Sequence, residues 1–331
     1  MKRILYVYNV RAKFVAIDEE ILRERYDVRA AYVTRRHPSL FTEMWRRARD
    51  VDLVVAWFAS WHSLPAFAVA RLRNIPRLLI SGGYDTANEP GIGYGLRQGG
   101  LPRLISGLTF RLADRALMPS HYSYHEALSN TPLKAANVVV VPHGLPDASA
   151  FSQPVEKEDF ALTIGNIDAV NAYRKGIRPF VDAATLCPDV PFVVVGKARD
   201  DYIHELRRNA APNVEFTGYV TDAELISLQQ RAKVYVQASQ HEAFGLALAE
   251  SMLARCVPVT TRRGALPEVV GGTGIFLDDV APETVAGAIR TALSMGPEAG
   301  ARARAHILER FPFEARKQAI HAEVDRLAGL I

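Results

Sequence analysis

Short, nearly continuous apolar runs recur along the chain. In the first half they read RILYVYNV, DVRAAYV, DLVVAWF, RLLISGG, RALMPS and NVVVVPHG; in the second, FALTIG, PFVVVG, VEFTG, KVYVQAS, VPVTT and GIFLDD. Runs rich in Val, Ile, Leu and aromatics, without polar alternation, suit parallel strands buried on both faces. Segments with helical spacing separate them, such as 17–25, 39–49 and 63–73, then about 176–186, 200–209, 222–231, 245–254, 267–271 and 282–295. This β-α-β-α order predicts an α/β protein with two doubly wound, Rossmann-like sheets.

The pattern breaks once, at LPDASAFSQPVEKED (145–159), a proline-containing and weakly periodic stretch that reads as a linker. Residues 1–150 and 151–312 are therefore expected to form two domains facing a cleft, which 331 residues comfortably allow. In 313–331, Phe313, Ala319, Ile320, Val324 and Leu327 recur at helical spacing, predicting a closing helix that packs back on the N-terminal domain.

Composition changes this picture little: 49% hydrophobic and 23% charged residues are ordinary for a globular protein. The opening MKRILYVYNVRAKFVAI is interrupted by Asn9, Arg11 and Lys13 and reads as a first buried strand rather than a leader. No stretch approaches the roughly 18 apolar residues of a membrane span, which points to the cytoplasm or the inner face of the membrane. Cys187 and Cys256 lie in apolar surroundings without CxxC spacing, so buried free thiols are expected and a metal site is not. Charge is uneven. Residues 1–150 carry 20 Lys+Arg against 13 Asp+Glu, and the remainder 20 against 23. The basic RRH (35–37) and WRRAR (45–49) would attract an anionic membrane or a phosphate-bearing partner, whereas no nucleic-acid recognition module accompanies them.

The candidate chemistry sits in SQHEAFGLALAESM, 239–252. Glu242 falls in a strand-to-helix turn at the carboxyl end of a parallel strand, the edge where open α/β sheets bind ligands. The backbone amides around Phe244, Gly245 and Leu246 begin a helix and point outward with the positive end of its dipole, which suits an anionic or polyhydroxyl ligand. Glu250, among Leu248, Ala249 and Met252, is an expensive carboxylate to bury alone, and a vicinal diol would satisfy it.

Together, EAFGLALAE, the following SMLARCVPVTTRRGALPEVVGG, YRKG (173–176) and VEFTGYV (214–220) resemble the retaining, nucleotide-sugar-dependent glycosyltransferases of family 4. The resemblance implies a glycosyltransferase B-type fold and transfer of a hexose from a nucleoside diphosphate to an acceptor hydroxyl. It implies that Glu242 holds hydroxyls of the transferred sugar with the turn Ala243, Phe244, Gly245 and Leu246, and that Glu250 holds the ribose. Lys175 would neutralise the diphosphate, and Gly218 and Tyr219 would lie against the base. The chain departs from the family at Asn166, where a second phosphate clamp is usually Arg; Arg174 is the candidate compensation. It also departs at Arg255, which replaces a helix-end glycine, and in YNVRAKF, which lacks a glycine pair.

For the acceptor, the glycine-rich SGGYDTANEPGIGYG (81–95) offers Tyr84 as a contact and Asp85 as a base or hydroxyl binder. Trp57, Phe58 and Trp61 are expected in the core, and His62, His121 and His143 as ordinary histidines. The implied partners are a nucleotide-sugar donor and a glycan or lipid-linked acceptor, with no metal or other cofactor. A nucleotide-sugar binding protein without turnover and a nucleotide-sugar epimerase are the alternatives. An NAD-dependent oxidoreductase would need a GxGxxG turn that YVYNVRAKF lacks.

Overall fold

The computed structural model describes residues 1–145, 151 and 155–330, so most of the expected linker, 146–150 and 152–154, lies outside the described residues. The chain divides into two units, Met1–Gly144 with Phe313–Ile331, and Leu145–Pro312.

The first unit runs β1 (Arg3–Tyr8), α1 (Lys13–Arg23), β2 (Asp27–Tyr32), α2 (Leu40–Arg47), β3 (Leu53–Trp57), α3 (Ser63–Leu72), β4 (Arg77–Ile80), α4 (Gly100–Leu112), β5 (Arg115–Met118), α5 (His121–Asn130) and β6 (Val138–Val140). Its strands form one parallel sheet in the order β2-β1-β3-β4-β5-β6. β3 and β4 are buried at every residue, which is why they read as unbroken apolar runs.

The second unit repeats the plan with β7 (Glu158–Ile164), α6 (Ala169–Arg174), α7 (Ile177–Ala183), β8 (Phe192–Val195), α8 (Tyr202–Asn209), β9 (Val214–Gly218), α9 (Asp222–Arg231), β10 (Ala232–Gln237), α10 (Leu246–Leu253), β11 (Val257–Thr261), α11 (Leu266–Val270), β12 (Ile275–Leu277), α12 (Pro282–Ser294) and α13 (Pro297–Arg310). Its parallel sheet has the order β12-β11-β10-β7-β8-β9. Both cysteines are buried. Arg255 has the left-handed φ of 67° expected of it, in a turn closed by Cys256 N–H donating to Ser251 O.

The opening segment is shorter as a strand than its apolar run suggested. β1 stops at Tyr8, and helix α1 starts at Lys13 rather than near residue 17. Val15, Asp18, Ile21 and Leu22 are its buried residues, at helical spacing, and the Tyr6 hydroxyl donates to Val15 O across the turn. The last helix, α14 (Phe313–Leu327), belongs to the first unit and packs on α1. Ile320 and Val324 are fully buried as its spacing predicts, but Arg316, His321 and Asp325 are buried beside them. Arg316 makes a two-pronged pair with Asp18 at 2.8 and 2.6 Å and also donates to Val141 O and Pro142 O. Asp325 accepts from the Tyr26 hydroxyl at 2.7 Å.

Candidate active site

Every strand of the second sheet is parallel to its neighbours, so all carboxyl ends lie on one edge. The chain leaves adjacent strands β7 and β10 toward opposite sides of the sheet, which makes their carboxyl ends the crevice where such sheets bind ligands. The loop after β10 carries Glu242 there. Its Oε1 accepts from Lys175 Nζ at 2.8 Å and lies 3.5 Å from Arg174 Nη1, although Glu242 is only 9% exposed. Burial alone would raise the carboxyl's pKa; the Lys175 ammonium and Arg174 guanidinium outweigh it and hold the group below its usual range.

Backbone contacts fix this carboxylate. Gln240 N–H donates to Arg174 O, Ala265 N–H donates to Glu242 O at 2.9 Å, and Thr261 Oγ1 donates to Ser239 O. The turn GALPE, whose glycine is Gly264, is thus the floor under Glu242. Gly264 has φ of 60°, and a Cβ there would stand 2.3 Å from Glu242 O, a backbone atom that cannot swing away. Gly264→Ala is therefore expected to destabilise the second unit by at least about 2 kcal/mol, combining left-handed strain with the clash. Urea unfolding checks this, and an unchanged midpoint would contradict it.

Gly245 (φ 99°, ψ 58°) turns the chain into α10. The first amides of that helix have no partner within it. Nearby, Gln237 Nε2 and Ser239 Oγ are buried without a hydrogen-bond partner among the described residues. The Phe244 ring is core, edge-on to Phe311 at 5.2 Å, leaving its backbone as the part suited to a ligand. Ala243 is buried, and Leu246, which begins α10, is half-buried. Glu250 is half-buried in the second turn of α10. The Tyr235 phenol has its pKa raised by burial first and then by both Glu242 and Glu250, so one tyrosine lies within the field of the two acids.

Arg174 does not stand ready as a phosphate clamp. It is 7% exposed and holds the loop by donating to His241 O at 3.2 Å and to Asn171 Oδ1 at 3.0 Å. Sequence reasoning missed this because a guanidinium beside a lysine looks the same whether it faces solvent or a backbone carbonyl. Asn166 is exposed just after β7, and Gly218 ends β9 at the same edge, followed by Tyr219, 78% exposed.

The first unit has its own crevice. The chain diverges after the adjacent strands β1 and β3, and at their carboxyl ends lies a cavity of about 360 Å³ lined by residues including Asn9, Phe58, Trp61, Tyr84 and Ile105. Trp57 is core as expected, but Phe58 and Trp61 line this cavity. Phe58 holds a left-handed φ of 64°, unusual for an aromatic residue and tolerated where surrounding structure fixes it. Asn9 Oδ1 is buried without a hydrogen-bond partner among the described residues; its place at a strand end was the signal that could have found it.

Tyr84 is half-exposed at the cavity, edge-on to Tyr94. Asp85, expected from the sequence as a base or hydroxyl binder, is among the residues that line this cavity, but most of its bonding capacity is turned to its own loop. It is fully buried, and its oxygens accept from Ala59 N–H at 2.8 Å, Ser81 Oγ at 2.7 Å and Gly83 N–H at 3.2 Å, so it organises the loop. His62 lies 2.8 Å from Trp57 O through Nε2; burial lowers its pKa to about 4 and keeps it neutral.

Residues 147–306 match the family model of glycosyl transferases group 1. The chain is 28% identical over 213 residues to a phosphatidylinositol N-acetylglucosaminyltransferase of Arabidopsis thaliana, covering 62% of this chain and 47% of that protein. It is 32% identical over 119 residues to the GDP-mannose-dependent alpha-(1-6)-phosphatidylinositol dimannoside mannosyltransferase of Mycobacterium tuberculosis, covering 34% and 31%. The chain thus spans less than half the length of these relatives. Among solved structures, Anabaena Alr3699/HepE in complex with UDP-glucose superposes with a TM-score of 0.78 over 98% of this chain and 100% of that one, at 17% identity. This chain therefore has the glycosyltransferase B-type fold, and through residues 147–306 it resembles the group 1 glycosyl transferases.

Proposed function

We propose that the chain is a retaining glycosyltransferase that moves a hexose from a nucleoside diphosphate to an acceptor hydroxyl. The observation that carries this reading is the buried Glu242 carboxylate, paired with Lys175 at the carboxyl edge of β10 and followed directly by the start of α10. In this reading Glu242 and the turn Ala243, Phe244, Gly245 and Leu246 hold the sugar hydroxyls. Lys175 turns its ammonium to the diphosphate, where charge grows as the glycosidic bond breaks. Glu250 accepts bonds from the ribose, Gly218 and Tyr219 flank the base, and Asn166 contacts phosphate as a neutral donor.

The reaction needs no protein nucleophile. The anomeric carbon's bond to the phosphate oxygen breaks, its bond to the acceptor oxygen forms on the same face, and the acceptor proton passes to the departing diphosphate. The cavity beside Tyr84 supplies the acceptor side, and Asp85 shapes its wall. Both relatives described above carry phosphatidylinositol in their names, which supports a lipid-linked acceptor.

A thermal-shift series with UDP-glucose, UDP-N-acetylglucosamine and GDP-mannose tests the donor reading. A donor at a hundred times its Kd stabilises the folded chain by about 2.7 kcal/mol, and Lys175→Ala is expected to remove most of that shift. Release of nucleoside diphosphate without acceptor then separates a transferase from a pure binder, and unchanged release in EDTA is expected. No shift with any nucleotide sugar would refute the reading.

A further inference from the structure

Helix α4 presents leucines to solvent in a pattern that core packing does not explain. Leu101, Leu104 and Leu108 are 64%, 57% and 44% exposed. Their i, i+3, i+7 spacing confines them to an arc of about 60° at 3.6 residues per turn. Such a stripe ordinarily faces a core. Here Ser106, Thr109 and Phe110 are the helix's buried residues, so the leucine stripe is surplus to the fold.

The two flanks of the stripe differ. On one side, Pro102 and Ile105 of the same helix line the cavity near Tyr84. On the other lies a groove of about 480 Å³ lined by Arg97, Arg103 and Arg111 and by no acidic residue. Helix α4 itself, GLPRLISGLTFRL, contains no Asp or Glu. Among the described residues no carboxylate pairs with any of the three arginines. Arg97, 8% exposed, donates only to neutral oxygens: Asn130 O and Arg103 O, both at 2.7 Å, and Ser106 Oγ at 2.9 Å. Among the described residues no carboxylate offsets its positive charge.

We infer that this face of α4 is a docking surface for an anionic phospholipid bilayer: the leucine stripe enters the boundary of the acyl layer while Arg103 and Arg111, backed by Arg97, take lipid phosphates. An apolar stripe edged by arginines is what an interfacial helix presents to such a surface. Charge argues against a second copy of the chain as occupant, since self-association would bring arginine-lined grooves together. Stripe and cavity share one helix, so an acceptor with a lipid tail would have its head group beside the cavity while its tail stays in the bilayer. This last step rests on the acceptor reading above; the docking surface does not.

The test is co-sedimentation of the full chain with phosphatidylcholine vesicles, with and without phosphatidylglycerol. Binding is expected only to the anionic vesicles. Arg103→Ala and Arg111→Ala should each weaken it about fivefold, and about 25-fold together. Leu104→Ser with Leu108→Ser should abolish binding while leaving the melting temperature unchanged, because both side chains are exposed. Three results would overturn the inference: equal binding to neutral vesicles; loss of binding on Arg46→Ala with Arg47→Ala in α2 but not on the α4 changes; or a dimer in vesicle-free buffer that the leucine changes dissolve while vesicle binding persists. A nucleotide-sugar thermal shift on the same samples keeps the two readings apart. Vesicle binding without a donor shift sinks the glycosyltransferase reading alone, and a donor shift without vesicle binding sinks the docking surface alone.

Discussion

Glu242→Gln is expected to lower turnover about 10²- to 10³-fold, the loss usual when one pre-placed charged contact to the reacting group is removed. The carboxylate has two tasks in the proposed reaction: it accepts sugar hydroxyls, and it fixes Lys175 at 2.8 Å until the diphosphate arrives. Glutamine preserves shape and an acceptor oxygen but removes the charge, so kcat should fall more than donor binding weakens. Single-turnover release of nucleoside diphosphate, with the donor Kd measured separately, distinguishes the two, and a variant with wild-type kcat would refute the assignment. Glu242→Ala should be worse for stability, by about 3 kcal/mol, because it strands the Lys175 and Arg174 cations beside a cavity. The pair also sets an acid limit. The folded carboxyl has a lower pKa than the unfolded chain's value near 4.5, so its stabilisation is complete above that pH and is lost as pH falls through the depressed value. Glu242→Gln should flatten that part of the pH–stability curve.

The second large effect is expected at Arg316→Met, far from any proposed chemistry. Arg316 and Asp18 are 3% and 0% exposed as side chains and meet in two hydrogen bonds. Removing one partner leaves an uncompensated buried charge, which costs about 3–5 kcal/mol. For a unit of this size that lowers Tm by about 10 °C. Calorimetry should show the loss in the transition of the first unit, with that of the second unmoved, since each has its own core. Asp18→Leu combined with Arg316→Met should recover much of the loss, because two apolar groups then replace the pair. An Arg316→Met variant that melts like wild type would show that water reaches the Asp18 carboxylate left behind.

The same residues show why sequence reading stopped where it did. Asp18 lies at a helical spacing that otherwise holds Val15, Ile21 and Leu22, and Arg316 stands 298 positions away. Nothing local couples them, so the start of α14 and its buried apolar positions were legible from spacing while its buried polar residues were not. Asp85 shows a different limit: its place beside the cavity was legible, but its loop bonds were not. A carboxylate in a glycine-rich loop after a strand looks like a ligand contact until the hydrogen bonds from Ala59, Ser81 and Gly83 are seen to occupy it.

By itself the sequence determined the two parallel sheets, the number and rough limits of their strands, and the stretch that carries Glu242 and Glu250. These follow from short-range regularities: unbroken apolar runs for strands buried on both faces, and a glycine where a strand turns into a helix. Only the tertiary structure decided that Arg174 braces a loop, that GALPE supports Glu242 from below, that Phe58 and Trp61 line a cavity, and that the leucines of α4 face outward. The physical reason is that an ionisable or apolar side chain acquires its role from its neighbours in space, and those neighbours come from segments whose spacing in the chain carries no periodic signal.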